Sequence, residues 1–378
     1  MRPVPVLWVS GAPGVGKSTA AWVLYTRMGS AGHRVAYVDI DQLGLFAPVL
    51  PTDPERHRLK ATILVEVLAT FARHGAQQLV VSGISDPHRG IDPYVRHARH
   101  LDFTLVRLRC DRDELRRRYL GRGSSAERLD ELMSVADALD HNDVGVALDT
   151  SAMSPDEVAD ALADVLADHT GVRRTPETRP CPAQSIDGKP GGVPVLLVVG
   201  PTAVGKSTVG WKVLSTLWER GMAAAYVDVD QLGFSAPETG MRLKAENLIR
   251  VWQGYREAGA RALVVVARGA PDVYEQALAG EDVTTVRLDA SPAELAERVA
   301  CRARGEGPRL AGDSLAAVPP WRQSRLAERA AEEARTLRSR LTDPSVVVDT
   351  SGADSSTVAA RLVSLLEPAL PEPDRPAR

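Results

Sequence analysis

The stretch PVLWVSGAPGVGKST, residues 5–19, is the strongest indication of the fold of the first half of this chain. An apolar run of strand length leads into the pattern G-x-x-x-x-G-K-S, and a helical pattern follows it. Glycines in this spacing let the backbone turn tightly and point its N–H groups at a phosphate, the lysine reaches the β- and γ-phosphates, and the serine hydroxyl can bind Mg²⁺. We therefore expect a nucleotide site with Ser18 as a metal ligand, formed by Gly11, Gly14, Gly16, Lys17, Ser18 and Thr19.

The same stretch returns as PVLLVVGPTAVGKST, residues 194–208. Other segments repeat in the same order: AYVDIDQLG (36–44) as AYVDVDQLG (225–233), RLK (58–60) as RLK (242–244), and VALDTS (146–151) as VVVDTS (346–351). A conserved order of this kind indicates a tandem duplication of one domain. The second nucleotide site is then expected at Gly200, Gly205, Lys206, Ser207 and Thr208, with Ser207 as its metal ligand.

The duplication sets the predicted domain boundaries. A length of 378 residues is enough for about two domains. We predict a first domain over 1–169, a linker over 170–192 that is rich in Pro, Gly, Thr and Arg, a second domain over 193–367, and a disordered tail over 368–378. Within each half, Val/Leu-rich runs of strand length alternate with amphipathic helical stretches, which predicts an α/β fold with a buried parallel sheet.

Composition narrows the classes of protein. The formal net charge of −3 argues against a non-specific nucleic-acid binder, so no nucleic-acid partner is expected. The N-terminus lacks a signal-peptide pattern and no apolar run approaches the length of a membrane span, which predicts a cytoplasmic protein without a membrane partner. The cysteines are scattered and odd in number, and we interpret them as reduced thiols: Cys110, Cys181 and Cys301.

Two aspartates end the second predicted strand of each half: Asp39 and Asp41, then Asp228 and Asp230. Residues two apart in a strand point the same way, and ligands of parallel α/β sheets bind beyond the carboxyl ends of the strands. One carboxylate of each pair can hold the hydrated Mg²⁺, and the other can accept a proton from an attacking hydroxyl. The alternative is that Asp41 only caps a helix that starts at Gln42.

GAPGVGKST followed by VDIDQLG resembles the small-molecule kinases of the nucleoside-monophosphate-kinase-like P-loop group, particularly shikimate, gluconate and adenylylsulfate kinases. The resemblance covers most of each half, but only these two motifs are specific. It implies two tandem P-loop domains, each with a five-stranded parallel sheet, and an arginine-bearing lid. It places Asp39 and Asp228 on the metal side and Asp41 and Asp230 on the acceptor side. Gly83 stands alone where shikimate kinases carry a run of glycines, which points to a different acceptor.

Arginine-rich segments follow the fourth predicted strand of each half, where the resemblance places the lid. Arg118 and Arg122, with Arg298 and Arg302, are the candidates for closing over the phosphates, and the alternative is a solvated surface. For the acceptor we expect Gly83 and cations that bind an anionic group, although a solvated helix start is an equal alternative; these cations are Arg58, Lys60, Arg242 and Lys244.

The resulting hypothesis is an ATP- and Mg²⁺-dependent kinase that phosphorylates a hydroxyl of a small metabolite or nucleoside-like acceptor. ATP is favoured over GTP because the chain has no N-K-x-D motif. The second half is the expected degenerate copy, and we expect contact between the halves. The predicted catalytic residues are Lys17, Asp41, Arg118, Arg122, Lys206, Asp230, Arg298 and Arg302. A non-catalytic ATP sensor and a polynucleotide end kinase remain as alternatives.

Overall fold

The computed structural model describes residues 3–86, 89–95, 98, 100–121, 123–142, 144–170, 192–237, 240–269, 271–306, 318–340 and 346–371. The first half of the sequence contains strands β1 (Val4–Gly11), β2 (Val35–Asp39), β3 (Phe46–Ala47), β4 (Gln78–Ser82), β5 (Leu101–Arg109) and β6 (Val146–Asp149). Its helices are α1 (Lys17–Ser30), α2 (His57–Arg73), α3 (Asp92–Val95), α4 (Arg112–Gly121), α5 (Leu129–His141) and α6 (Pro155–Thr170).

The second half repeats this order. Its strands are β7 (Pro194–Gly200), β8 (Ala224–Asp228), β9 (Phe234–Ser235), β10 (Ala262–Arg268), β11 (Asp282–Asp289) and β12 (Val346–Asp349). Its helices are α7 (Lys206–Glu219), α8 (Met241–Glu257), α9 (Pro271–Ala277), α10 (Pro292–Ala303), α11 (Pro320–Arg340) and α12 (Ser355–Leu366). Short 3₁₀ helices, Ile40–Leu43 and Val229–Leu232, directly follow β2 and β8.

The chain forms two compact units, and each takes a short segment from the other half of the sequence. Unit 1 contains the described residues within Met1–Gly44, Glu55–Ala183 and Gly233–Leu243. Unit 2 contains those within Leu45–Pro54, Gln184–Leu232 and Lys244–Arg378. The predicted linker lies outside the described residues except for 170 and 192. Of the predicted disordered tail, 368–371 are described: the 3₁₀ helix Glu367–Ala369 extends into it and Leu370 packs against the core of unit 2, so this part of the prediction was wrong.

Each unit is built on a six-stranded mixed sheet, so the prediction of five-stranded parallel sheets was wrong. The strand order is β6-β5-β1-β4-β2-β9 in unit 1 and β12-β11-β7-β10-β8-β3 in unit 2. Five strands of each sheet are parallel, as expected, and the sixth is antiparallel. The sixth strand has only two residues, which is too short for any hydrophobic period to show in the sequence.

Burial explains why the central parallel strands could be predicted from the sequence. The central strand of each unit is almost fully buried: β1 from Val6 onward and β7 along its whole length. Helices cover both faces of such a sheet, so its strands are apolar without alternation. The carboxyl ends of β1, β2 and β4 meet at one edge, where Ser82 is in register with Val9 and with Asp39.

The exchanged strands are attached by aromatic packing as well as by backbone pairing. In unit 1 the Phe234 ring lies 4.7 Å from that of Trp22 and 5.8 Å from that of Tyr37, measured between centroids. In unit 2 the Phe46 ring lies 6.2 Å from that of Tyr255, whose hydroxyl also accepts a hydrogen bond from the Leu45 N–H at 3.1 Å. Aromatic pairs at these distances stabilise beyond their buried area.

Among the described residues, no helix combines the length and the apolar composition that crossing a membrane requires.

Candidate active sites

The glycine-rich turn of each unit has the backbone that a phosphate-binding loop needs. It connects the end of the central strand to a helix that begins at Lys17 in unit 1 and at Lys206 in unit 2. Gly16 has φ 106° and its missing Cβ would point into open space. In unit 2, Ala203 has φ 64° where unit 1 has Gly14. A non-glycine residue is strained at positive φ, so the second loop maintains this shape at a cost in backbone energy.

The loop lysines lie over their own loops. Lys17 Nζ donates to the Ala12 carbonyl at 3.0 Å, and Lys206 Nζ donates to the Gly200 and Pro201 carbonyls at 3.0 and 2.8 Å. Burial lowers the pKa of Lys206 to about 8, against the opposing charges of the nearby carboxylates. A buried ammonium at this place is available to an anion that enters the loop.

The first aspartate of each pair lies beside the loop serine. Ser18 Oγ donates to Asp39 Oδ2 at 3.0 Å, and Ser207 Oγ donates to Asp228 Oδ2 at 2.9 Å. Burial, followed by the charge of the second aspartate, raises the pKa of both Asp39 and Asp228 to about 6. A hydroxyl and a carboxylate are oxygen ligands of the kind Mg²⁺ prefers together with substrate phosphates. These residues therefore fit the predicted metal site.

The second aspartate lies in the 3₁₀ helix after the strand. The Asp41 N–H donates to Asp39 Oδ1 at 3.0 Å, so Asp39 caps this helix and the alternative of Asp41 as a cap is not what the structure shows. The Asp41 carboxylate accepts a hydrogen bond from Lys60 Nζ at 3.3 Å. The Lys60 stem passes over Gly44, where a Cβ would come within 2.5 Å of Lys60 Cε. Gly44 of D-Q-L-G thus makes room for Lys60 of R-L-K.

Unit 2 has the same ion pair, with an additional cation. Lys244 Nζ lies 2.5 Å from Asp230 Oδ1, and Arg268 Nε lies 3.7 Å from Asp230 Oδ2. Both lysines were expected to bind an anionic group of the acceptor, which stays a prediction; in the structure they pair with Asp41 and Asp230. Arg58 and Arg242 lie near the starts of α2 and α8.

The first arginine of each predicted lid pair contacts the loop from the side of its backbone. Arg118 Nη1 donates to the Val15 carbonyl at 3.0 Å and to Thr150 Oγ1 at 3.1 Å. Arg298 makes the equivalent bonds to Val204 and Thr350, at 2.8 and 2.9 Å. These bonds hold the loop backbone, and closure of these arginines over the phosphates stays a prediction. Arg302 lies in the last turn of α10, and Arg122 is outside the described residues.

Two glutamates that pair with these arginines were not predicted from the sequence. Glu114 in unit 1 and Glu294 in unit 2 each lie one helical turn before their arginine and form an ion pair with it. The repeated E-x-x-x-R spacing and the repeated D-T-S segments were signals that could have found them.

Gly83 has φ 144° and packs against Ile40, so its backbone form is set by this close approach as well as by any substrate.

The sheet edges of the two units differ chemically. Ser82 donates to or accepts from Tyr37 Oη at 2.8 Å and lies 3.4 Å from Ser18 Oγ. The register places Val266 beside Asp228, where unit 1 has Ser82 beside Asp39. Unit 2 also has a cavity of about 590 Å³ at the carboxyl ends of β7 and β10, lined in part by Arg268 and by residues of α9 and α11.

The strand, the glycine-rich turn and the paired carboxylates define both sites as P-loop sites of the nucleotide-binding type. Residues 7–138 match the family model AAA_18, described as an AAA domain. A probable adenylyl-sulfate kinase of Archaeoglobus fulgidus is 29% identical over 92 residues, which are 24% of this chain and 58% of that protein. The chain thus spans little more than half the length of this relative. The predicted resemblance to P-loop small-molecule kinases is confirmed.

Several solved structures are also similar over one half of the chain. The tunicamycin resistance protein of Deinococcus radiodurans is 21% identical, with 47% of this chain and 100% of that chain covered and a TM-score of 0.35. A gluconokinase from Sinorhizobium meliloti is 19% identical, with 45% and 95% covered and a TM-score of 0.33. The APS kinase of Mycobacterium tuberculosis, in complex with AMPPNP and APS, is 21% identical, with 47% and 99% covered and a TM-score of 0.30.

Proposed function

We propose that this protein is an ATP- and Mg²⁺-dependent kinase that phosphorylates a hydroxyl group of a small metabolite or nucleoside-like acceptor. The observation that carries the proposal is the difference in surroundings between Asp39 and Asp41. Asp39 is partly buried and accepts a hydrogen bond from the loop serine, whereas the Asp41 side chain is 56% exposed and paired with Lys60. A partly buried carboxylate beside a hydroxyl suits a metal, and an exposed oriented one suits a proton acceptor.

In this mechanism the loop amides and Lys17 bind the phosphates of ATP, and Ser18 and Asp39 would hold the metal. Mg²⁺ would supply neutralisation of the negative charge on the phosphates. Asp41 accepts the proton of the acceptor hydroxyl, and Lys60 keeps this carboxylate oriented. Arg118 keeps the loop in shape through its bond to the Val15 carbonyl.

We propose that unit 1 carries the transfer and that unit 2 is the degenerate copy. Burial raises the pKa of Asp230, but the charges of Lys244 and Arg268 outweigh it and the pKa lies below its ordinary value. A carboxylate with a lowered pKa is a weaker proton acceptor. Arg268 has no counterpart in unit 1, where the matching residue is Ile84.

The test is ADP release across a panel of hydroxylated metabolites and nucleosides, using the full chain. Lys17→Ala should abolish turnover, and Lys206→Ala should leave most of it. ATP binding without product on any acceptor would favour the sensor alternative. If neither substitution changes ATP affinity, the assignment of the nucleotide sites is wrong.

A further inference from the structure

Glu333 of α11 places its carboxylate on the phosphate loop of unit 2. Glu333 Oε2 accepts hydrogen bonds from the backbone N–H of Thr202 at 2.8 Å and from Thr202 Oγ1 at 2.7 Å. Arg329 on the same helix is its ion-pair partner, with 3.3 Å between Nε and Oε1, and the Glu333 side chain is 20% exposed. A charged acceptor that receives two hydrogen bonds from one loop residue is a defined contact.

This contact lies next to the loop carbonyl that Lys206 binds. Lys206 Nζ donates to the Pro201 carbonyl at 2.8 Å, and that carbonyl shares a peptide group with the Thr202 N–H. The Glu333 charge also acts on Lys206, where it opposes the lowering of the lysine pKa by burial. Since the lysine of such a loop reaches the β- and γ-phosphates, Glu333 stands at the γ-phosphate end.

Unit 1 cannot form the same contact. Its loop has Pro13 where unit 2 has Thr202, and proline has neither an N–H nor a hydroxyl to donate. The two loops otherwise share the lysine, the serine and the neighbouring aspartate, so the Glu333 contact is a chemical difference between them.

We propose that Glu333 makes unit 2 selective for nucleoside diphosphates over nucleoside triphosphates, an inference that rests on the proposed function because it takes the loop as a nucleotide site. A third phosphate meets the like charge of Glu333 and must displace it from Thr202. The α- and β-phosphates bind instead at the N-terminus of α7, which Glu333 does not occupy. A nucleoside diphosphate is also what the proposed transfer in unit 1 releases.

The experiment is calorimetric titration of the full chain carrying Lys17→Ala, which isolates unit 2, with Mg·ADP and with Mg·AMPPNP. The Kd for ADP should be at least about tenfold lower than that for AMPPNP. Glu333→Gln keeps an acceptor for the Thr202 N–H but removes the charge, so AMPPNP should bind about tenfold more tightly and ADP about equally. Glu328→Gln is the matched control, because Glu328 is exposed on the same helix and does not line the unit 2 cavity, and should change neither Kd.

A second variant, Thr202→Pro, brings in the residue of unit 1 and should shift the ratio in the same direction. The proposal is overturned if unit 2 binds both nucleotides equally, if it binds neither, or if Glu333→Gln leaves the ratio unchanged. The full chain with Lys206→Ala distinguishes the two proposals. If the Lys206→Ala variant binds AMPPNP, an overturning result at unit 2 concerns the role of Glu333 alone. If this variant binds no nucleotide, the proposed function fails.

Discussion

Replacing Phe234 with alanine should destabilise unit 1, although Phe234 belongs to the second half of the sequence. The ring lies against Trp22 and Tyr37 in unit 1, and β9 pairs antiparallel with β2. The mirror substitution, Phe46→Ala, removes a side chain that is 3% exposed and packs on Tyr255, and should loosen unit 2. Each substitution thus tests which unit its segment stabilises.

The size of the effect follows from burial. Truncating a fully buried phenylalanine costs about 3–5 kcal/mol, and Phe46 falls in this class. Phe234 is only partly buried, so we expect about 2–3 kcal/mol for its removal, including the lost edge-to-face contact with Trp22. A loss of about 2 kcal/mol raises the population of the opened state about 30-fold.

Amide hydrogen exchange resolved by mass spectrometry measures each unit separately, which a single melting curve does not. In Phe234→Ala, peptides that cover 35–39 and 78–82 should lose protection, and those that cover 224–228 and 262–268 should keep it. Phe46→Ala should give the reverse. Leu50→Ala and Met241→Ala are the matched controls on the same two segments, because these side chains are 42% and 50% exposed.

The opposite pattern would refute the exchange of segments. If Phe234→Ala exposes the amides of β8 and β10 while β2 stays protected, each half of the sequence folds with its own edge strand.

Three further predictions concern unit 1. Burial and the Asp41 charge raise the pKa of Asp39 from 3.8 to about 6. The ionised carboxylate therefore lowers the stability of the folded protein by about 1–3 kcal/mol above pH 6, and this destabilisation is absent below about pH 4. Asp39→Asn should therefore raise the melting temperature in EDTA at pH 8 but not at pH 4; destabilisation at pH 8 contradicts this. Arg118→Ala should weaken ATP binding about tenfold by freeing the loop, whereas Arg117→Ala, 74% exposed on the same helix, should not. Lys60→Ala should lower kcat about tenfold or more with ATP affinity unchanged, and Lys60→Arg should restore part of it; an unchanged kcat excludes a positioning role.

Features carried by consecutive residues could be predicted from the sequence alone. The loop from Gly11 to Ser18, the carboxylate pair and the five parallel strands each depend on local backbone form or on a short apolar run, and the repeat showed them twice. The serine and first aspartate of each unit were also placed together correctly, because parallel strands end at a common edge.

Contacts between residues far apart in the sequence could not be predicted and are known from the fold. The two-residue strands β3 and β9 are too short to show a hydrophobic period, so their exchange between the halves could not be predicted. The pairing of Lys60 with Asp41 and the contact of Glu333 with Thr202 both join residues far apart in sequence. Long charged side chains reach several possible partners, and burial and distance select among them only once the chain has folded.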